Sequence, residues 1–121
     1  MKKRFRFQDM TIWQHAIELA HQLADLADDL EKRKLFRYAE QLRSAALSVS
    51  NNIAEGSGST SDKDFANFLN IAKRSCFELA NMAIFFAQRS YLADEEADAV
   101  LEKLDHECRM LESFRKKLRL A

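Results

Sequence analysis

The chain contains no proline and only two glycines, Gly56 and Gly58. Tight turns between many short strands need residues that tolerate unusual backbone angles, so an all-β reading is excluded. Collagen-like, Pro-rich and flexible-linker classes fall for the same reason, as do the glycine patterns that cradle dinucleotides or phosphates. Hydrophobic residues make up 47% of the chain and charged ones 31%, a balance that folds rather than stays disordered. With 121 residues, the expectation is a single domain over residues 1–121.

Apolar residues recur every three or four positions in long runs, which predicts helices. The first is expected from about Asp9, whose carboxylate suits an N-cap, to Leu30, with Trp13, Ala16, Ile17, Ala20, Leu23, Ala24, Ala27 and Leu30 inward. The second runs from about Leu35 to Glu55, and Gly56 is placed in the left-handed position just past its end. Ser61 with Asp64 three residues on resembles a capping box and opens the third helix, which ends near Tyr91. Asp94-Glu95-Glu96 opens the fourth, and Arg115, Lys116, Lys117 and Arg119 close it, both matching the helix dipole. Four long helices with short links predict an all-α, up-down-up-down antiparallel four-helix bundle.

A bundle helix needs one apolar stripe, and two of these helices carry more. Phe77, Ile84 and Tyr91 recur at spacing seven, about 100° from the Phe65 side of helix 3. Ile12, Leu19 and Leu26 do the same on helix 1, displaced from Trp13. These six residues are the expected subunit interface of a homo-oligomer.

Sites of chemistry are sparse. Glu18 and His21 have the Glu-x-x-His spacing of di-iron bundles, but His106 is preceded by Lys103 where a second copy needs Glu. His15 and His106 read as surface residues. Cys76 and Cys108 fall at apolar helical positions and read as reduced core thiols rather than zinc ligands. Ser44, Ser48 and Ser50 have no neighbouring base. Gln41, Ser44, Ser48, Asn51, Asn52 and Glu55 form a small, mostly uncharged polar stripe on helix 2, suited to a tight contact or a lining. No catalytic residue, cofactor, metal or small-molecule substrate is expected, so the chain reads as non-enzymatic.

The basic start Met-Lys-Lys-Arg-Phe-Arg has no apolar stretch after it, and the longest apolar run, Met82 to Ala87, is too short to span a membrane. A cytoplasmic protein without membrane partners is expected. The total charge is zero, but an antiparallel bundle sorts it. The end holding the chain start, the helix 2–3 loop and the end of helix 4 collects nine cations against five acids, and the other end five against seven. Lys2, Lys3, Arg4, Arg6, Arg115, Lys116, Lys117 and Arg119 are therefore the candidate phosphate partners of an RNA or DNA. A protein–protein assembly module without nucleic acid is the alternative.

The string from Ser44 to Gly56, above all Asn52-Ile53-Ala54-Glu55-Gly56, resembles the bacterial four-helix bundle family of 23S ribosomal RNA intervening-sequence proteins. Leu42-Arg43, Asp64-Phe65 through Glu78-Leu79, the opening Phe7, Met10, Trp13-Gln14 and Ala16, and Arg109-Met110-Leu111 resemble it too. Two strings depart: Ser50-Asn51 stands where that family usually has Pro-Ser, and Lys73-Arg74-Ser75-Cys76 replaces a Gly-Ser-Leu type of string. The resemblance implies a closed ring of five subunits. It also implies kinship with retroelement accessory proteins of barrel shape that bind nucleic acid. It brings no catalytic residues.

Overall fold

The computed structural model describes residues 1–120, and the side chains of residues 1–119. A short 3-10 turn, Arg6–Asp9, precedes four helices: α1 (Thr11–Lys32), α2 (Phe36–Ser57), α3 (Asp62–Gln88) and α4 (Asp94–Leu120). No strand is present among the described residues. The links are residues 33–35, 58–61 and 89–93, so each helix packs antiparallel on the one before it. The α1–α4 seam that closes the bundle is much less extensive than the other three.

The core is a continuous layer of Leu, Ile, Ala and Phe drawn from all four helices, with Phe65 and Phe86 its largest buried side chains. Alanines at Ala16, Ala27, Ala39, Ala46 and Ala72 are buried and let the helices approach closely.

Helix 1 is rotated from its expected setting. Ile12 (4% exposed) and Leu19 (2%) are core residues, in line with Leu23 and Leu30, while Trp13 and Ala20 are half-buried on the flank. Leu26 is half-buried against the same core. The apolar arc of α1 is so wide that its two stripes are one face, leaving no separate interface there.

Two termini also differ. Asp9 does not cap α1: the N-cap is Met10, without a side-chain cap, and Asp9 accepts a hydrogen bond from Lys3 Nζ at 2.9 Å. Gln8 holds the turn instead, its Oε1 accepting from the backbone N–H of Arg4 and Phe5 at 2.8 and 2.9 Å. Gly56 is buried inside α2 and has no positive φ. A Cβ there would lie 2.7 Å from both Phe65 Cδ1 and Phe68 Cβ, so this glycine is a close-approach point between α2 and α3. The left-handed turn positions are Lys34 (φ 65°) and Ser90 (φ 62°), each just past a helix end. Ser61 does cap α3, its Oγ accepting from Asp64 N at 3.2 Å.

Candidate nucleic-acid interface

The basic end is assembled as the antiparallel order requires. Arg6 lies over the Phe65 ring at 5.3 Å, and Phe65 meets Phe114 at 5.5 Å, which ties the chain start to the beginning of α3 and the end of α4. Phe7 packs against Trp13 at 5.1 Å, and Phe5, largely exposed, stacks on Phe7 at 5.7 Å. A polar groove of about 620 Å³ runs between the two helices, lined by Asp62, Lys63, Asn67, Arg115 and Arg119.

The eight cations are not equivalent. Lys3 is paired with Asp9. Arg115 holds Glu112 through two contacts, Nε at 3.2 Å and Nη2 at 3.0 Å, and its hydrogen bonds keep that carboxyl below its ordinary range. Arg6 is spent on the Phe65 ring. Among the described residues, Lys2, Arg4, Lys116, Lys117 and Arg119 have no carboxylate partner, which leaves five cations open to phosphate. At the opposite end Lys34 and Arg37 have no carboxylate partner among the described residues, but the other cations are engaged. Lys32 faces Asp29 at 3.9 Å, Arg43 binds Asp28 at 2.7 Å and Glu31 at 3.2 Å, and Arg33 and Arg89 both lie over Tyr91.

Of the six residues of the expected interface, only Phe77 and Ile84, both on α3, are exposed. Phe77 is 63% exposed and Ile84 45%, and both line the α3–α4 groove together with Leu101. Tyr91 is not part of it. It is half-buried in a ring cluster with Tyr38 and Phe86 and clamped by the two arginines, so it closes the α3–α4 link. A second exposed apolar pair, Ile71 and Phe85, lies on the α2 flank of α3, where Phe85 meets Tyr38 at 5.7 Å.

Of the polar stripe of α2, Ser48 and Asn52 make a contact, while Gln41, Ser44, Asn51 and Glu55 are exposed. Ser48 Oγ and Ser75 Oγ lie 2.9 Å apart across the α2–α3 seam, and Asn52 Nδ2 donates to Ser48 O and Oγ at 2.8 and 3.1 Å. Thus Asn52 of the signature string braces the partner of α3, and Ile53 is fully buried. Gly56 is the close-approach point, Ala54 is half-buried and Glu55 exposed. Ser50 bonds back to Leu47 O at 3.2 Å within an unbroken α2.

One pair escaped the sequence reading. Glu107 is completely buried in the α1–α4 seam, its Oε1 2.7 Å from His15 Nδ1. Its Oε2 has no partner among the described residues. Burial pushes this carboxyl up to about 8 and lowers the His15 imidazole, so the pair rests as a carboxylic acid and a neutral ring. His15 is half-buried rather than on the surface and meets His106 edge-on at 5.1 Å. The signal was present in Glu107 itself, an acid in register with Leu104 and Leu111.

Glu18 and His21 are both exposed, and no cluster of three or more His, Cys, Asp or Glu side chains is placed to hold a metal ion among the described residues. Among the same residues no helix is long and apolar enough to cross a membrane.

A solved structure of a protein with unknown function from the S23 ribosomal protein family of Bacteroides thetaiotaomicron VPI-5482 is similar in fold. It has a TM-score of 0.83 and 23% identity, over 88% of this chain and 99% of that one. Comparison with curated proteins gives no match. The family model described as 23S rRNA-intervening sequence protein matches residues 8–113, a span holding all of α1, α2 and α3 and most of α4. The chain belongs to the 23S rRNA-intervening sequence protein family.

Proposed function

We propose that this protein is a non-enzymatic, oligomeric cytoplasmic scaffold that holds RNA or DNA phosphates on its basic end. The observation that carries the reading is the contrast between the ends. Lys2, Arg4, Lys116, Lys117 and Arg119 stand without carboxylate partners at one, while at the other Arg43, Lys32 and Arg33 are engaged and only Lys34 and Arg37 are unpaired. A neutral protein with that polarity presents a positive potential on one side only. Assembly multiplies it, because a ring brings the same end of every subunit to one face.

The two apolar flanks of α3 support assembly. Phe77 and Ile84 toward α4 and Ile71 and Phe85 toward α2 are different patches, the requirement for a heterologous interface that closes into a ring. Five subunits are the number that the sequence resemblance favours. Purification from cells with and without nuclease tests the reading. Nucleic acid carried in the untreated sample and released at raised salt is the expected result. An oligomer that carries none, and binds neither RNA nor DNA at low salt, leaves the protein–protein assembly module.

A further inference from the structure

Phe5 is 65% exposed, more than any other aromatic ring among the described residues, and yet it is held in place. Its ring lies on Phe7 in a near-parallel offset stack, with 19° between the planes and centroids 5.7 Å apart. Phe7 rests in turn on Trp13 in the first turn of α1. The backbone beneath is fixed as well. Gln8 Oε1 accepts from the N–H of both Arg4 and Phe5, Gln14 Nε2 donates to Gln8 O at 2.9 Å, and Lys3 pairs with Asp9. Phe7 covers one face of the Phe5 ring, and the exposure leaves the other to solvent. A ring left bare contributes little to the fold. Nor does assembly through α3 use it, because the patches there are Phe77 with Ile84 and Ile71 with Phe85.

We propose that Phe5, backed by Phe7 and Trp13, is a stacking platform for an unpaired base, a contact that single-stranded RNA or DNA makes and duplex does not. It rests on the phosphate reading above and adds the base to it. Inside a duplex each base is covered on both faces by its neighbours, so only an unpaired one can lay a face on the ring. Every base has such a face, so the platform selects strandedness and not sequence. The surrounding charge suits a nucleotide. Lys2 and Arg4 precede Phe5 and have no carboxylate partner among the described residues, while the first acid in the chain, Asp9, is occupied by Lys3. The stack is formed before a ligand arrives, so little side-chain freedom is lost on binding.

The test measures binding of the full chain to a mixed-sequence single strand of about 20 nucleotides, as RNA and as DNA, to the same strand in a blunt duplex, and to an abasic backbone of that length. Phe5→Ala should weaken binding of the single strand at least about fivefold and of the duplex less than about twofold. The slope of log affinity against log salt should stay as it is, because no phosphate contact is lost. Wild type should bind the abasic backbone as weakly as Phe5→Ala binds the intact strand. Phe5→Trp should keep the affinity, whereas Phe5→Leu, apolar but without a π-face, should lose it. The ring lies outside the core, so thermal midpoint and oligomer mass should not move. An iodouracil strand irradiated with the wild-type chain should join to the peptide holding Phe5, a readout that needs no variant. Wild type that binds neither strand nor duplex at low salt removes the phosphate reading and this one with it. Salt-dependent binding that Phe5→Ala leaves intact overturns the platform alone. Equal loss on strand and duplex, cross-links only elsewhere, or a smaller oligomer for Phe5→Ala, which makes the ring a subunit contact, would do the same.

Discussion

Glu107 and His15 are 92 positions apart in sequence, and their side chains meet at 2.7 Å inside the α1–α4 seam. One oxygen of the carboxyl has this contact and the other has none among the described residues. A charge at that place would be uncompensated, so the buried acid keeps its proton.

Stability should therefore fall as pH rises. The folded-state value near 8 lies above the ordinary 4.5, so the folded chain holds a proton that the unfolded chain has released between those values. The favourable contribution is complete below pH 4.5 and is lost as pH rises through 8. His15 acts in the opposite sense, because its lowered value removes stability as pH falls below 6.5. Glu107→Gln removes the ionisation and keeps a neutral hydrogen-bonding group. Denaturant titrations from pH 5 to 9 should show wild type losing about 3 kcal/mol relative to this variant. Parallel pH curves would contradict the protonated pair.

Gly56→Ala should destabilise the fold by about 1–2 kcal/mol. Alanine gains about 1 kcal/mol of helix propensity over glycine, but the new methyl meets Phe68 Cβ, which is fixed to its own backbone. Gly58→Ala is the control, because its Cβ finds only Glu55 O at an ordinary 3.4 Å. A Gly56→Ala midpoint at or above that of Gly58→Ala in urea unfolding would contradict the close approach.

Phe77→Glu and Ile84→Glu should release subunits before they unfold the bundle. Both side chains are largely outside the monomer core, so helix content and thermal midpoint at low concentration should change little. Light scattering should report a multiple of 14.0 kDa for wild type and 14.0 kDa itself for the variants. A wild-type chain that runs as a monomer at micromolar concentration ends the assembly reading.

Replacing Lys116, Lys117 and Arg119 by Gln should weaken RNA and DNA binding about tenfold or more. It should also lower the slope of log affinity against log salt by about 3. Changing Lys32, Lys34 and Arg37 at the other end should matter less; Arg33 is left in place because it holds Tyr91. Equal losses from the two triplets would count against a polarised surface.

Ser90→Gly should raise stability by up to about 1 kcal/mol, since serine sits at φ 62° where glycine pays no steric cost. Unchanged or lowered stability in urea would show that the turn carries no strain.

What the sequence made legible is what depends on neighbours along the chain. The four helices, the Ser61 cap and the cations at the end of α4 are local, and each stands where the pattern put it. What it hid depends on the partner helix. Gly56 is followed by a loop, so it reads as a helix end, and only Phe65 and Phe68 across the seam show why a side chain is missing there. In α1 the apolar arc is too broad for periodicity to find its centre, and Ile12 and Leu19 were set on the wrong side of it. Asp9 was an acid before a helix, but Gln8 had already fixed the turn. Glu107 sat in core register, yet its meaning came from His15 at the far end of the chain.

The seams of this bundle join helices that are consecutive in sequence, and α1 and α4 meet only sparingly. Such a topology has low contact order, so little chain entropy is lost before a contact forms, and folding on the microsecond-to-millisecond scale is expected. It also orders events during synthesis. Each helix after the first finds a main partner already made as it emerges from the ribosome, and it is mainly α3 that waits with one face bare for α4, which is translated last.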